Sequence, residues 1–336
     1  MKPICLFTGS GHETLATDVA QILGIELRPA IHKRFADGEC QVRLLESVRD
    51  EDVFVIQGMS NNIGSDDPDP IPSSINDRLI ETLLMTDALR RASAKRINLV
   101  MPCYPYSRQD KKTKPREPIS AAIVGQMLEF AGADRFMCVD LHAEQTQGHV
   151  KIPVDNLYAD GVIAAHIKTL GWHEDPDDLR IVSPDVSGVS RCRNLADDLG
   201  LSIARSIGII AKRRVKPNQV EKEAEVIGDV TGKRCLLLDD MVDTGGSSVG
   251  GANHLIARGA REVHIACTHG VFSSKATETL QNSVFSSVIC TDTVPIFRKK
   301  QFDKLTVLPI APLLAAAIER VHRGESVNDL FAHSTP

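Results

Sequence analysis

Residues 234–248, Arg-Cys-Leu-Leu-Leu-Asp-Asp-Met-Val-Asp-Thr-Gly-Gly-Ser-Ser, place three kinds of side chain in an order that suggests one chemistry. Cys235 to Leu238 are an apolar run that predicts a buried parallel strand, with Asp239 and Asp240 at its end. A turn of Asp243, Thr244, Gly245, Gly246, Ser247 and Ser248 follows, then a helical pattern from Val249 to Ala257. In an open α/β sheet, ligands bind outside the carboxyl ends of the strands. The start of the next helix offers N–H groups and the positive end of a dipole, which suit a phosphate. Gly245 and Gly246 are expected to take φ > 0 and to let the backbone come close, while Thr244, Ser247 and Ser248 add hydroxyl donors. Asp239, Asp240 and Asp243 would repel a phosphate and suit the hydroxyls of a sugar or a hydrated Mg²⁺. Phosphate, diol and metal together describe a sugar-phosphate site. An ordinary strand–helix turn uses the same residue types, but a carboxylate pair at the end of so apolar a strand is costly without a ligand.

A second segment carries the opposite charge. In residues 102–120, Arg108, Lys111, Lys112, Lys114 and Arg116 make a positive patch in a chain whose net charge is −5. Such a run can be a solvated loop or a nucleic-acid patch. The acidic balance of the whole chain and the direct attachment to an apolar strand favour a nucleoside triphosphate instead. Asp140-Leu-His142 stands at another predicted strand end. Imidazole there suits a phosphate or a shared Mg²⁺, which prefers oxygen ligands and keeps waters. Residues 212–224, rich in Lys and Arg, follow the apolar run Ile207–Ala211 and read as a flexible hairpin or lid.

Apolar runs alternate with helical periodicity along the chain: Ile4–Thr8, Val53–Gln57, Ile97–Pro102, Phe136–Asp140, Arg180–Ser183, Arg234–Leu238, Val263–Thr268 and Val288–Thr291 are candidate strands. That alternation predicts an α/β protein with mostly parallel sheets flanked by helices. Gly132-Ala-Asp-Arg-Phe and Gly259-Ala-Arg-Glu-Val each close a helix and open a strand, and Lys95-Arg and Lys233-Arg stand one unit earlier in each half. Two similar domains are therefore expected, over 1–158 and 159–318, with 319–336 as a tail packing back at a subunit junction; chance similarity of two units would leave the same echo. The 336 residues suffice for two domains. No apolar run approaches the roughly 20 residues that span a bilayer. The eight Cys include no Cys-x-x-Cys, and five of them lie in predicted strands, so a cytoplasmic protein without a zinc site or disulfide framework is expected. Residues 60–75, rich in Pro, Asp and Ser, are a surface excursion with no assigned role.

The 234–248 segment resembles the phosphoribosyl-diphosphate loop of phosphoribosyltransferase-type folds, and 102–120 resembles the signature of the ribose-phosphate diphosphokinases. Phe7-Thr-Gly-Ser-Gly-His12, Phe35-Ala-Asp-Gly-Glu39, Asp140-Leu-His142, Pro153-Val-Asp155, Val182-Ser-Pro-Asp185, Thr268-His-Gly-Val-Phe-Ser273 and Gly324-Glu-Ser-Val-Asn-Asp-Leu-Phe331 extend the match to nearly the whole chain. The resemblance implies transfer of a diphosphoryl group from Mg-ATP to ribose 5-phosphate. It implies ATP contacts at Phe35, Asp37, Gly38, Glu39, Arg108, Gln109, Asp110 and Arg116, and metal contacts at His142, Asp185, Asp140 and Asp155. Lys212 and Arg214 become the catalytic cations of the lid. It further implies a homo-oligomer, expected to be a hexamer in which Phe35–Glu39 completes a neighbour's site. Phosphate is the expected activator, with Ser47, Arg49 and Ser326 near the junction. No nucleic-acid or membrane partner is expected.

Three departures from the family pattern stand out. Lys151 occupies a position that is often acidic; Val186-Ser187-Gly188 replaces a small-Gly-Gly turn, where a strained Ser is expected; and Ser274 replaces a common Gly. The rival readings are a nucleobase phosphoribosyltransferase, which has no need of 102–120 or a second domain, and a catalytically silent regulatory subunit.

Overall fold

The computed structural model describes residues 3–61, 73–211 and 225–331. It divides into two units: Met1–Tyr158 with Thr293–Lys299 and Pro309–Leu330, and Ala159–Asp292 with Lys300–Leu308.

The first unit contains β1 (Cys5–Thr8), α1 (Glu13–Leu23), β2 (Ala30–Arg34), β3 (Cys40–Leu44), β4 (Asp52–Ile56), α2 (Ile75–Arg91), β5 (Arg96–Val100), α3 (Ser120–Ala131), β6 (Arg135–Val139) and β7 (Val154–Leu157). Its sheet has the order β1-β4-β5-β6-β7 and is parallel throughout. All five residues of β4 are buried, which is why the strands read as continuous apolar runs and not as alternation. The hairpin β2–β3 stands outside this sheet. Its weak alternation gave no signal in the sequence. Ser74 and Asp77 form a reciprocal cap at the start of α2, satisfying N–H groups that the helix cannot.

The second unit contains α4 (Asp160–Thr169), β8 (Leu179–Ser183), α5 (Val189–Asp198), α6 (Ile203–Ser206), β9 (Ile207–Ala211), β10 (Glu225–Ile227), β11 (Arg234–Val242), α7 (Gly246–Ala257), β12 (Glu262–Gly270), α8 (Ala276–Gln281), β13 (Phe285–Thr291) and β14 (Leu305–Leu308). The order is β10-β9-β8-β11-β12-β13-β14, with β10 antiparallel to β9. Cys235 to Leu238 at the centre of β11 are fully buried. The expected α/β class holds, and the internal echo is real in form. Gly132 (φ 122°) and Gly259 (φ 89°) are both left-handed residues leading into β6 and β12, and Arg96 and Arg234 each open a strand.

The last helix, α9 (Ala311–Arg323), falls in the first unit, although the sequence placed residues up to 318 with the second domain. It packs against α1, and His322 Nδ1 lies 2.8 Å from Asp52 Oδ2 at the start of β4.

Candidate active site

The acidic pair is inside β11, not beyond it. The strand continues to Val242 because β12 pairs with it as far as Gly270. Asp240 is buried, and its N–H donates to Asp239 Oδ1 at 2.9 Å. Burial first, and the Asp240 carboxylate second, push Asp239 up to about 7. Two carboxylates forced together at a strand end are relieved by hydroxyl donors or by a cation.

The turn then narrows. Gly245 takes φ 78° and precedes α7, which begins at Gly246, three residues earlier than the sequence pattern suggested. A Cβ on Gly245 would meet Leu280 Cδ2 and Cγ at 3.2 Å. Gly246 does not share the positive φ expected of it. It is helical, and a Cβ there would meet only Thr244 Oγ1, at 4.0 Å. Thr244, Gly246 and Ser247 are exposed, whereas Ser248 is buried. No side chain caps α7, so its first N–H groups face an open approach suited to a phosphate.

On neighbouring β8, the loop after Ser183 presents Asp185, which is exposed. Its Oδ1 accepts from Ser187 N at 2.8 Å, Ser187 Oγ at 2.6 Å and Gly188 N at 3.1 Å. The strain expected at Ser187 is absent, since Ser187 is not among the positive-φ residues. Ser274 does carry it, at φ 55°.

In the first unit, Asp140 follows β6 with φ 44° and is almost fully buried, while His142 is exposed. A carboxylate residue in the left-handed region at a strand end is a strained position of the kind that collects at binding sites. Asp155 pairs in register with Met137 in the body of the sheet and binds Arg135 Nη1 at 2.6 Å. That ion pair gives Asp155 a structural partner.

The basic loop is exposed at Arg108, Gln109, Lys111, Lys112, Lys114 and Arg116. Asp110 is buried and accepts from Gln145 Nε2 at 2.5 Å, so it braces the loop from within. Arg116 has φ 70°, and Glu117 accepts from Thr113 N and Lys114 N at 3.0 and 2.9 Å. Phe35 to Glu39 form the exposed tip of the β2–β3 hairpin, with Gly38 at φ 96° and Phe35 half exposed. Arg34 ties the tip to the cap of α2 through Gly38 O and Asp77 Oδ1, each at 3.0 Å. Tyr106 of the basic loop bonds Asn76, the residue beside Asp77. Both ATP candidates therefore hang from one helix start. The brace residues Arg34, Asn76 and Tyr106 were not visible as site residues in the sequence, because their partners lie far along the chain.

Lys212 and Arg214 lie outside the described residues, as does most of 60–75. Ser47 and Arg49 are exposed on either side of the buried Val48, and Ser326 O accepts from Arg320 Nη1 at 2.9 Å.

One consequence is measurable at the acidic pair. Above about pH 7 Asp239 is ionised, the form that would accept from sugar hydroxyls; below it the carboxyl holds a proton. Ribose 5-phosphate affinity should rise as pH rises through that value. The substrate phosphate itself titrates near pH 6, so calorimetric titrations from pH 6 to 8 on wild type and Asp239→Asn separate the two. A pH dependence equally steep in Asp239→Asn would refute the role of this carboxyl. Stability runs the other way. The folded value lies above the unfolded value of about 4, so the contribution of this proton is full below about pH 4 and is lost as pH rises through about 7.

Residues 4–132 match the N-terminal domain of ribose phosphate pyrophosphokinase, and residues 184–332 match the phosphoribosyl synthetase-associated domain. A ribose-phosphate pyrophosphokinase of Clostridium tetani is 43% identical over 98% of this chain and 98% of its own length. That of Aquifex aeolicus is 42% identical over 98% of this chain and all of its own. A solved phosphoribosylpyrophosphate synthetase from Mycobacterium smegmatis superposes with a TM-score of 0.85 at 42% identity, covering 96% of this chain and 100% of that one. Relatives and solved structure alike match the chain almost from end to end at more than 40% identity, and this chain belongs to the ribose-phosphate pyrophosphokinase family.

Proposed function

We propose that this chain transfers the β,γ-diphosphoryl group of ATP to the anomeric hydroxyl of ribose 5-phosphate. The sugar hydroxyl gives up its proton to water as its oxygen attacks the β-phosphorus, the bond from that phosphorus to the α,β-bridging oxygen breaks, and AMP leaves with that oxygen. The observation that carries this reading is the near-complete match to such enzymes, joined to a turn on β11–α7 built for a sugar phosphate.

The 5-phosphate sits on the Thr244–Ser248 turn, held by the first N–H groups of α7 and by the hydroxyls. Asp239 and Asp240 accept from the ribose hydroxyls, and Asp243 orients the ring. Arg108 and Gln109 take ATP from the basic loop, with Arg116 beside them. Phe35, Asp37 and Glu39 reach the nucleotide base of a neighbouring copy from an exposed hairpin tip. Lys212 and Arg214 act on the charge that develops during transfer, where positioning and electrostatics do most of the work.

Mg²⁺ takes oxygen ligands and keeps several waters. Among the described residues no group of three or more His, Cys, Asp or Glu is arranged as a metal cage, while the crowded Asp239–Asp240 pair supplies further oxygens in the second unit. The donors fit hydrated ions shared with substrate oxygens; Asp140, His142 and Asp155 in the first unit, and Asp185 in the second, are the residues that would hold them. When bound, such an ion neutralises and aligns the phosphate oxygens.

A homo-oligomer, with the hexamer as its expected size, follows from the hairpin reading. Phosphate is the proposed activator at Ser47, Arg49 and Ser326, where the His322–Asp52 contact brings the end of α9 to the loop that carries Arg49. Among the described residues no helix is long and apolar enough to cross a membrane, and all eight cysteines are free thiols, which supports a cytoplasmic enzyme.

The test is AMP release from ATP by the purified protein with Mg²⁺ and phosphate, with and without ribose 5-phosphate. Stoichiometric, sugar-dependent AMP together with phosphoribosyl diphosphate is expected. Binding of both substrates without AMP would mark a silent subunit. Transfer only from phosphoribosyl diphosphate to a nucleobase would mark a phosphoribosyltransferase.

A further inference from the structure

The segment that follows β12 is held in a backbone conformation that its residues do not favour. Phe272 and Ser274 are both left-handed, at φ 44° and 55°. Non-glycine residues persist there only where the surroundings over-determine them. Here the surroundings are the turn of the sugar-phosphate site. Phe272 N donates to Val242 O at 3.1 Å and Ser273 N donates to Asp243 O at 3.0 Å. Between the two strained residues, Ser273 Oγ donates to Asp243 Oδ1. Lys300, largely buried, anchors the start of the segment by donating from Nζ to Val271 O at 2.8 Å. Burial lowers the Lys300 pKa, and the Asp243 carboxylate opposes that shift. Gly270 leaves room for this folding-over: a Cβ there would meet Phe272 Cε2 at 2.8 Å and Cys290 Sγ at 2.9 Å.

We propose that Ser273 is a positioning residue for ribose 5-phosphate, its hydroxyl setting the rotamer of the Asp243 carboxylate from a strap, residues 271–274, that clasps the β11–α7 turn. The inference rests on the reading of Asp243 as a sugar contact. Asp243 is the last residue before Thr244, so the direction of its carboxylate decides whether it meets the ring of a sugar whose phosphate lies on the next five residues. Without the hydroxyl, the carboxylate has one charge-assisted partner fewer and turns among its rotamers. Since this contact is made before and during transfer alike, its loss weakens binding and not the chemical step.

Ser273→Ala should raise both KM and the calorimetric Kd for ribose 5-phosphate about tenfold, the scale of one hydrogen bond to a charged group. The KM for ATP and kcat should stay within about twofold. Ser273→Thr, which keeps the hydroxyl, should restore the affinity. In an Asp243→Asn background the Ser273 change should add nothing, because the Ser acts through that carboxylate. Should Ser273→Ala not fold, Ser273→Cys keeps the size with a much weaker donor and gives the same comparison. If Asp243→Asn weakens sugar binding and Ser273→Ala does not, or if their effects add, the positioning role is wrong. If Asp243→Asn leaves sugar binding unchanged, the sugar reading of Asp243 falls and this inference falls with it.

Discussion

Replacing Lys212 by Ala should lower kcat by roughly 10²–10⁴-fold while the KM values for ATP and ribose 5-phosphate move little. Diphosphoryl transfer spreads charge over the oxygens around the β-phosphorus, and a cation brought there contributes in the transition state more than in the ground state. Lys212 begins the basic run that directly follows β9, the neighbour of β8, whose far end carries Asp185. If Arg214 shares the task, Arg214→Ala should lose activity in the same way. The double variant should lose less than the product of the single losses if both cations serve one charge. Steady-state rates of AMP formation at saturating substrates decide this. A near-normal kcat for Lys212→Ala would remove the assignment, and a raised KM with unchanged kcat would make the residue a binding contact.

The sequence was informative wherever the chemistry is contiguous. Strand, carboxylate pair, glycine turn and helix follow one another within 234–257, so the residues that meet in space also meet in sequence. What escaped detection depends on pairing at a distance. The extension of β11 through Asp239 to Val242 is imposed by β12, some thirty residues later, and no local pattern marks it. Ser273 finds Asp243 across thirty residues, flanked by a Phe and a Ser in conformations where Gly is the usual signal. The ion pair of Asp155 with Arg135 on the adjacent strand likewise depends on strand register and not on spacing. At Ser187 the expectation of strain assumed a left-handed turn; the backbone there is ordinary and the hydroxyl bonds Asp185 instead. Likewise, α9 follows the second domain in sequence and packs with the first, because the contact with α1 and the bond to Asp52 lie at the other end of the chain.

Gly245 and Gly246 separate stability from binding, and their variants should behave in opposite ways. Gly245→Ala places a Cβ at φ 78° and 3.2 Å from Leu280, so it should cost about 1–2 kcal/mol of stability, the usual left-handed penalty. Gly246 is already helical and meets only Thr244 Oγ1 at 4.0 Å. A Cβ there burdens neither backbone nor packing, and replacing a helical Gly removes an entropic cost. Gly246→Val should therefore melt no lower than wild type. Its branched side chain, however, stands in the open approach to the first N–H groups of α7. If the 5-phosphate uses them, excluding it from two charge-assisted hydrogen bonds should weaken ribose 5-phosphate by about 100-fold or more. Thermal melts and sugar-phosphate titrations on the two variants make the comparison. A stable Gly246→Val that binds ribose 5-phosphate normally would place the phosphate elsewhere. A Gly246→Val that melts well below wild type would show that this glycine serves the fold and not the ligand.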